Sequence, residues 1–371
     1  MAATPTSPWV RLARSNTHTL GLLALAVAVA VLFSVMNPSV YTSPLNIESI
    51  TLSIPEIGLM ALAISIAMTT AGIDLSIVSV ANLSALTAAY VSVQGMEAGM
   101  PTPTLTVLAV VLSLVVGMVC GAINAVVVAV VGVAPILATL ATQMIFAGAA
   151  IAFTRGQPIY GLTPELTEVG STTVAAVPLI FWLFLAVVVV VALIMTRTGY
   201  GLRATMLGAS GTAADYTGIA RRKVLFQTYI LAGTISAAAG LVMVMRTVSA
   251  SAGYGSSYLL LAITIAVLGG ANPFGGRVAI WGTALAAVIL QMISSGFNMQ
   301  GLSSYVYQIT QGLILAGVWI VRMEGTRAST WINGKRDGRR DSAPAPLTDL
   351  PYEEGQNDGS SRAAAGSGHV H

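Results

Sequence analysis

Charge is the scarcest feature of this 371-residue sequence: Asp, Glu, Lys and Arg together make up 8% of it, against roughly 25% in an ordinary soluble domain. The shortage is uneven. Fourteen of the 31 charged side chains fall in the last 50 residues, leaving 17 for the first 321. A soluble globule of that size has no way to cover its surface so sparsely, which excludes a soluble enzyme, a nucleic-acid binder and a disordered chain. Cysteine is almost absent. The single Cys120 rules out an intrachain disulfide and leaves no basis for a cysteine-built metal site, so no metal is expected. Histidine occurs only as His18, His369 and His371, all in the tails, so no buried histidine is available for acid/base work. Lysine occurs only at Lys223 and Lys335, and the phosphate-binding pattern G-x-x-x-x-G-K-S/T is missing. The patterns H-E-x-x-H, C-x-x-C and G-x-S-x-G are missing too. What is present is apolar: 55% hydrophobic residues and a mean hydropathy of +0.82. The sequence is that of a polytopic membrane protein.

A spanning helix needs about 20 apolar residues to cross a hydrocarbon core of about 30 Å. Apolar runs lie at 19–36, 54–70, 73–93, 105–131, 135–153, 178–196, 224–246, 258–270, 278–297 and 305–321. At that depth every backbone group must be paired internally, and strand alternation is absent, so an all-α fold of about ten transmembrane helices is expected. The first run is long and has no clear cleavage box, so no cleavable signal peptide is expected. The basic residues set the orientation. With the N-terminus in the cytoplasm, the inside segments hold 14 Lys and Arg, from Arg11 to Arg340. The outside loops hold only Arg155 and Arg246. Both termini are therefore expected in the cytoplasm. The net charge of +3 reflects this orientation and not a nucleic-acid partner.

Three parts follow: a cytoplasmic tail (1–18), a membrane domain (19–321) and a cytoplasmic tail (322–371). The last is rich in Gly, Ser, Pro, Ala and mixed charge, and cannot bury a core. Its basic start (335–340) suits anionic lipid. Within the membrane domain, run 258–270 is too short to cross alone, and it lies between SASAGYGSSY and GGANPFGG. The run after TTAGIDLS (69–76) also begins in glycine and a carboxylate. Such interrupted segments point to broken helices lining a substrate path. The largest inside loop, 197–223, fits a short helix around 209–217. Gly72, Gly269, Gly270, Gly275 and Gly276 are expected to permit sharp turns and close helix approach.

The residues also resemble a family. TTAGIDLSIVSV (69–80), AINAVVVAVVGVAPILATLATQ (122–143), TRGQPI (154–159), GLRATMLGASGTAADYTGI (201–219) and VLGGANPFGGRVAIWGT (267–283) are similar, in this order, to segments of ribose-type ABC importer permeases. The resemblance covers the whole membrane body. It implies a bacterial inner-membrane permease subunit that performs no covalent chemistry and moves a monosaccharide or sugar-like polyol by alternating access. It implies four kinds of partner: a separate ABC ATPase, an extracytoplasmic substrate-binding protein, a second permease copy (the same or different) and the surrounding lipid. No cofactor is bound by this chain; ATP and Mg belong to the ATPase. By the same resemblance, the segment with Gly208, Ala209, Ala213, Ala214, Asp215, Gly218 and Ile219 is the loop that couples to that ATPase. The sequence departs from the family pattern at Ala71, Val78, Ala125, Ala134, Ser210 and Gly211.

Candidates for the translocation path are Asp74, Asn82, Asn124, Gln143, Tyr254 and Tyr258. Each has a second reading. Asp74 either lines the cytoplasmic end of the path or caps the next helix. Asn82, Asn124 and Gln143 either meet cargo hydroxyls or bond between helices. The two tyrosines either face the cargo or anchor at the interface. Arg155, Arg246, Glu165 and Glu168 either contact the binding protein or are solvated. Two other functions remain open: the same machinery carrying branched-chain amino acids or nucleosides, and a secondary transporter or channel without an ATPase. The scarcity of buried ionisable groups beyond Asp74 and Glu56 argues against proton coupling.

Overall fold

The structure, a computed structural model, describes residues 8–303 and 305–317, with the side chains of 8–17 left aside. The tail 322–371 and the last residues of the tenth run lie outside the described residues. Eight helices among those described are long and apolar enough to cross a membrane. They are α1 (Pro8–Met36, apolar from His18), α3 (Pro44–Thr69), α4 (Ile77–Glu97), α5 (Thr102–Val126), α6 (Pro135–Thr154), α8 (Leu179–Arg197), α11 (Arg221–Thr247) and α13 (Ile280–Met299). The ninth run is the short α12 (Tyr258–Leu268), and residues 305–317 of the tenth are helical.

The ends of these helices have local causes. The short α2 (Pro38–Tyr41) leads into Ser43, whose hydroxyl accepts from the backbone N–H of Asn46 and caps α3. With that cap, α3 starts ten residues, nearly three turns, before its apolar run. A π-helical turn, Val127–Val131, continues α5 until Gly132 stops it in the left-handed region (φ 87°). Pro135 then sits in the first turn of α6, where its missing N–H costs no bond. Loop 197–223 holds two helices where one was expected: α9 (Gly199–Ala209) precedes α10 (Gly211–Tyr216). Small and apolar residues on one face of α9 (Gly201, Ala204, Leu207, Gly208) pack inward, so the segment folds as a helix.

At the far end of the helices, the loop after α6 carries α7 (Pro164–Ser171) and three short strands: β1 (Ile159–Tyr160), β2 (Thr173–Val174) and β3 (Val177–Pro178). β1 pairs antiparallel with β4 (Ser249–Ala250), and β2 with β3. This tethers the loop after α6 to the end of α11.

The core centres on α3 and α11. α3 is buried from Ile54 to Thr69, and α11 packs against α3, α4 and α5. The α5–α11 contact is tight because Gly117 and Gly121, four apart on α5, lie against the backbone of α11 at Gly233 and Tyr229. Any Cβ at these glycines would strike a carbonyl group. In lipid such small-residue seams supply the packing that the hydrophobic effect supplies in water. Large apolar side chains on α1, α5, α6 and α8 point outward, among them Val35, Val107, Ile145 and Val190.

Candidate functional site

Three regions concentrate polar or conformationally special residues. The first joins the coupling segment to the helices. Ser210 separates α9 from α10, and its hydroxyl caps α10 by accepting from the N–H of Ala213 at 3.2 Å. Ala214 is buried, while Ala209, Ala213, Asp215 and Gly218 are exposed and Ile219 is partly buried. Gly218, in the left-handed region (φ 73°), and Ile219 turn the chain back by bonding the carbonyls of Asp215 and Ala214. Just inside, three chain segments meet. Gly208 packs on the carbonyl of Thr69, and the N–H of Gly276 donates to that same carbonyl at 3.1 Å. Gly275 (φ 88°) fits between Gly208 and Ala71. Thus the end of α3, the end of α9 and the α12–α13 loop share one contact. Gly269 and Gly282 close the base of that loop against each other, and Gly270 (φ 107°) bends it. A cleft of about 740 Å³ opens beside this junction, bordered by Ala71, Val133, Pro135, Ser210, Arg221 and Arg222.

The second region is a closed polar network at the start of α4. Asp74 is buried, and one carboxylate oxygen accepts from the backbone N–H (2.9 Å) and the hydroxyl (2.7 Å) of Ser76. Asn124 of α5 donates to the Ser76 hydroxyl at 2.7 Å and to the other Asp74 oxygen at 3.4 Å. Its own amide oxygen accepts from Thr142 of α6 at 2.6 Å. Thr139 donates to the carbonyl of Ile73 and accepts from the N–H of Leu75. The turn 70–76 is thereby pinned to α5 and α6, and Gly72 leaves the space that the Tyr229 hydroxyl approaches. Ala71, where the family pattern has glycine, adopts φ 60°, a conformation that costs an L-residue about 1–2 kcal/mol.

The third region lies at the other end of α11. Asn82 of α4 donates to the carbonyls of Ala252 (2.9 Å) and Tyr254 (2.8 Å), fixing the loop between α11 and α12. The rings of Tyr254 and Tyr258 meet edge to face at 6.3 Å. Arg246 donates to the Tyr254 hydroxyl at 2.9 Å and, through Nε (3.1 Å) and Nη2 (2.7 Å), to one oxygen of Glu56. Arg246 is therefore not a free charge of an outer loop: its partner lies near the middle of α3. Glu165 is also engaged, since the hydroxyls of Thr102 and Thr106 donate to it. Those bonds, that of Thr102 foremost, hold its carboxyl below the usual range. Gln143 joins none of these networks, and its amide oxygen is buried without a hydrogen bond among the described residues.

A family model described as "Branched-chain amino acid transport system / permease component" matches residues 46–319. The chain belongs to this permease family. The ribose import permease protein RbsC of Bacillus subtilis is 34% identical over 298 residues, covering 80% of this chain and 88% of the relative. The autoinducer 2 import system permease protein LsrD of Photorhabdus laumondii is 34% identical over 304 residues, covering 79% and 87%. That of Salmonella typhimurium is 30% identical over 325 residues, covering 85% and 93%. No solved structure matches.

The permease is thus a transport subunit and not an enzyme, a multi-pass protein of the bacterial inner membrane. Of its path candidates, the structure brings Asp74 and Asn124 into one network. Asn82, Tyr254 and Tyr258 stand together in another. The pairing of Glu56 with Arg246 is not visible in the sequence, because 190 residues separate the two. The available signal was a carboxylate inside an apolar run, a costly placement that calls for a partner. The glutamines Gln291, Gln308 and Gln311, which border the same region, carried a similar signal.

Proposed function

We propose that this chain forms the membrane pathway of an ATP-driven importer whose cargo is a monosaccharide or sugar-like polyol. Alternating access moves the cargo, and a separate ABC ATPase, which binds the ATP and Mg, supplies the drive. An extracytoplasmic binding protein delivers cargo, and a second permease, identical or related, completes the pathway. Both termini lie in the cytoplasm, and the basic tail touches anionic lipid.

The observation that carries this reading is the shape of the coupling segment. The helix α10 is held from beneath by buried Ala214 and the Ser210 cap, so its outer face, with Ala213, Asp215 and Tyr216, is free for a partner. The end of α9, joined to α10 by Ser210, contacts α3 and the α12–α13 loop through Gly208 and Ala209. A docked ATPase that shifts α10 therefore acts through α9 on the end of α3, just before the turn that carries Asp74. Coupling requires that the docked partner favour one pathway state over the other. The names of the ribose and autoinducer 2 permeases favour a sugar or sugar-like cargo.

Replacing Ala213 and Asp215 together by tryptophan tests the docking. The ATPase is expected to stop copurifying, while the permease keeps its yield and elution profile. Continued copurification refutes the assignment. A second reading, branched-chain amino acid cargo, rests on the description of the matching family. Uptake of L-leucine in place of sugars by the reconstituted transporter would establish it.

A further inference from the structure

A cavity of about 240 Å³ lies where α3, α11, α12, α13 and the 305–317 helix converge. That is on the order of eight water volumes. Its polar border includes Glu56, Arg246, Gln291, Ser294, Gln308 and Gln311. A second cavity of about 320 Å³ adjoins it, and the two share Ser53, Gln291, Ser294 and Tyr307. Together they make a polar groove along one side of α3 and α13, from Asn46 and Asn298 to Glu56.

A carboxylate near the middle of a membrane helix is costly, and such groups mark substrate pathways. Glu56 is 1% exposed. An arginine–carboxylate pair held for structure alone favours two parallel bonds, one to each oxygen. Here both Arg246 bonds fall on Oε2, and Oε1 is buried without any hydrogen-bond partner among the described residues. This leaves a strong acceptor beside a cavity. The rest of the border is chosen for neutral hydroxyls. Glutamine amides donate and accept at once, as a hydroxyl does. The two formal charges, Glu56 and Arg246, cancel each other. The ring of Tyr258, also on the border, offers a face to C–H groups. An amino acid would instead need separate places for its ammonium and carboxylate groups; around Glu56 the charges are paired with each other and only Ile57 and Leu261 are aliphatic, the other apolar residues (Ile50, Phe297, Met299, Leu302) lying in the adjoining cavity.

We infer that this groove is a cargo-recognition site inside the membrane domain, where Glu56 Oε1 accepts from a hydroxyl of a small neutral polyhydroxylated molecule. Gln291, Gln308 and Gln311 read its other hydroxyls, and Arg246 positions the carboxylate. The inference rests on the importer reading above and adds to it: the permease itself, and not the binding protein alone, selects the cargo.

The test uses the complete transporter, with its ATPase and binding protein, in liposomes. The probes are radiolabelled D-ribose, D-xylose, myo-inositol and L-leucine. Wild type is expected to accumulate at least one of the first three. For that probe, Glu56→Gln and Gln311→Leu are each expected to lower the maximal uptake rate at least fivefold. The order of preference among the probes is expected to change, while the ATPase still copurifies and the half-saturating concentration of loaded binding protein stays the same. Should Glu56→Gln fail to assemble, Gln311→Leu carries the test alone. Rates reduced less than fivefold with an unchanged preference overturn this site and leave the importer reading standing. A wild type that accumulates none of the three polyhydroxylated probes overturns the cargo reading, and the site with it.

Discussion

The permease buries two carboxylates along one stretch of chain and treats them in opposite ways. Asp74, in the turn after α3, accepts hydrogen bonds at both oxygens, from Ser76 and Asn124, and Gly72 of the same turn packs against the Tyr229 hydroxyl and Pro135. Glu56, near the middle of α3, is bonded at one oxygen only, and its neighbours are glutamines around open space. A fully bonded buried group fixes a shape. A half-bonded one beside a cavity keeps capacity for something that arrives. The difference predicts that changes around Asp74 cost stability and changes around Glu56 cost transport.

The strongest way to break this contrast is at the junction beside Asp74. Gly208→Val drives a side chain into the Thr69 carbonyl, and overpacking of that kind is expected to cost about 3 kcal/mol. Size-exclusion profiles of a fluorescent fusion should show loss of the folded peak. Asn124→Leu removes the bonds to Ser76, Asp74 and Thr142 and leaves a buried carboxylate oxygen unpaired. A loss of about 2 kcal/mol is expected, read as a lower thermal midpoint. A normal midpoint would mean that the network is not what holds the turn. Ala71→Gly should act in the other direction. It relieves a left-handed alanine and is expected to raise stability by about 1 kcal/mol in the same assay. Gln308→Leu, at the exposed edge of the groove, should move the midpoint least, by about 0.5 kcal/mol or less. A large thermal effect there would make the two regions alike and erase the contrast.

Much of the fold was legible beforehand. The apolar runs locate each helix to within a few residues at most ends, since hydropathy and helix length are both set by the bilayer. The exceptions have local reasons. α3 begins at Pro44, ten residues before its apolar run, because Ser43 and Pro44 start a helix that hydropathy does not register. α9 was missed because glycine and arginine read as loop when the small face has no visible partner. The glycines at 269–276 were legible as a turn, but their contacts with Gly208 and Thr69 were not, since no pattern in one segment reveals which distant backbone it will touch. Arg246 shows the same limit. By position it belongs to an outer loop, and only the tilt and packing of α3 and α11 place it on Glu56. Asp74 read equally as path and as cap, and its bonds to Ser76 serve the local turn.

One helix carries both regions. From Glu56 to Thr69, α3 runs 14 residues, about 20 Å of continuous helix. One end is bonded, at the Thr69 carbonyl, to Gly276 of the α12–α13 loop; the other carries the carboxylate in the groove. Such a segment behaves as a connecting rod, delivering at its head whatever displacement it receives at its foot. Pro55, adjacent to Glu56, interrupts the helix's hydrogen-bond ladder at the point where the rod meets its load. The missing bond places the softest joint of α3 beside the groove, so any bending of the helix is expected there first.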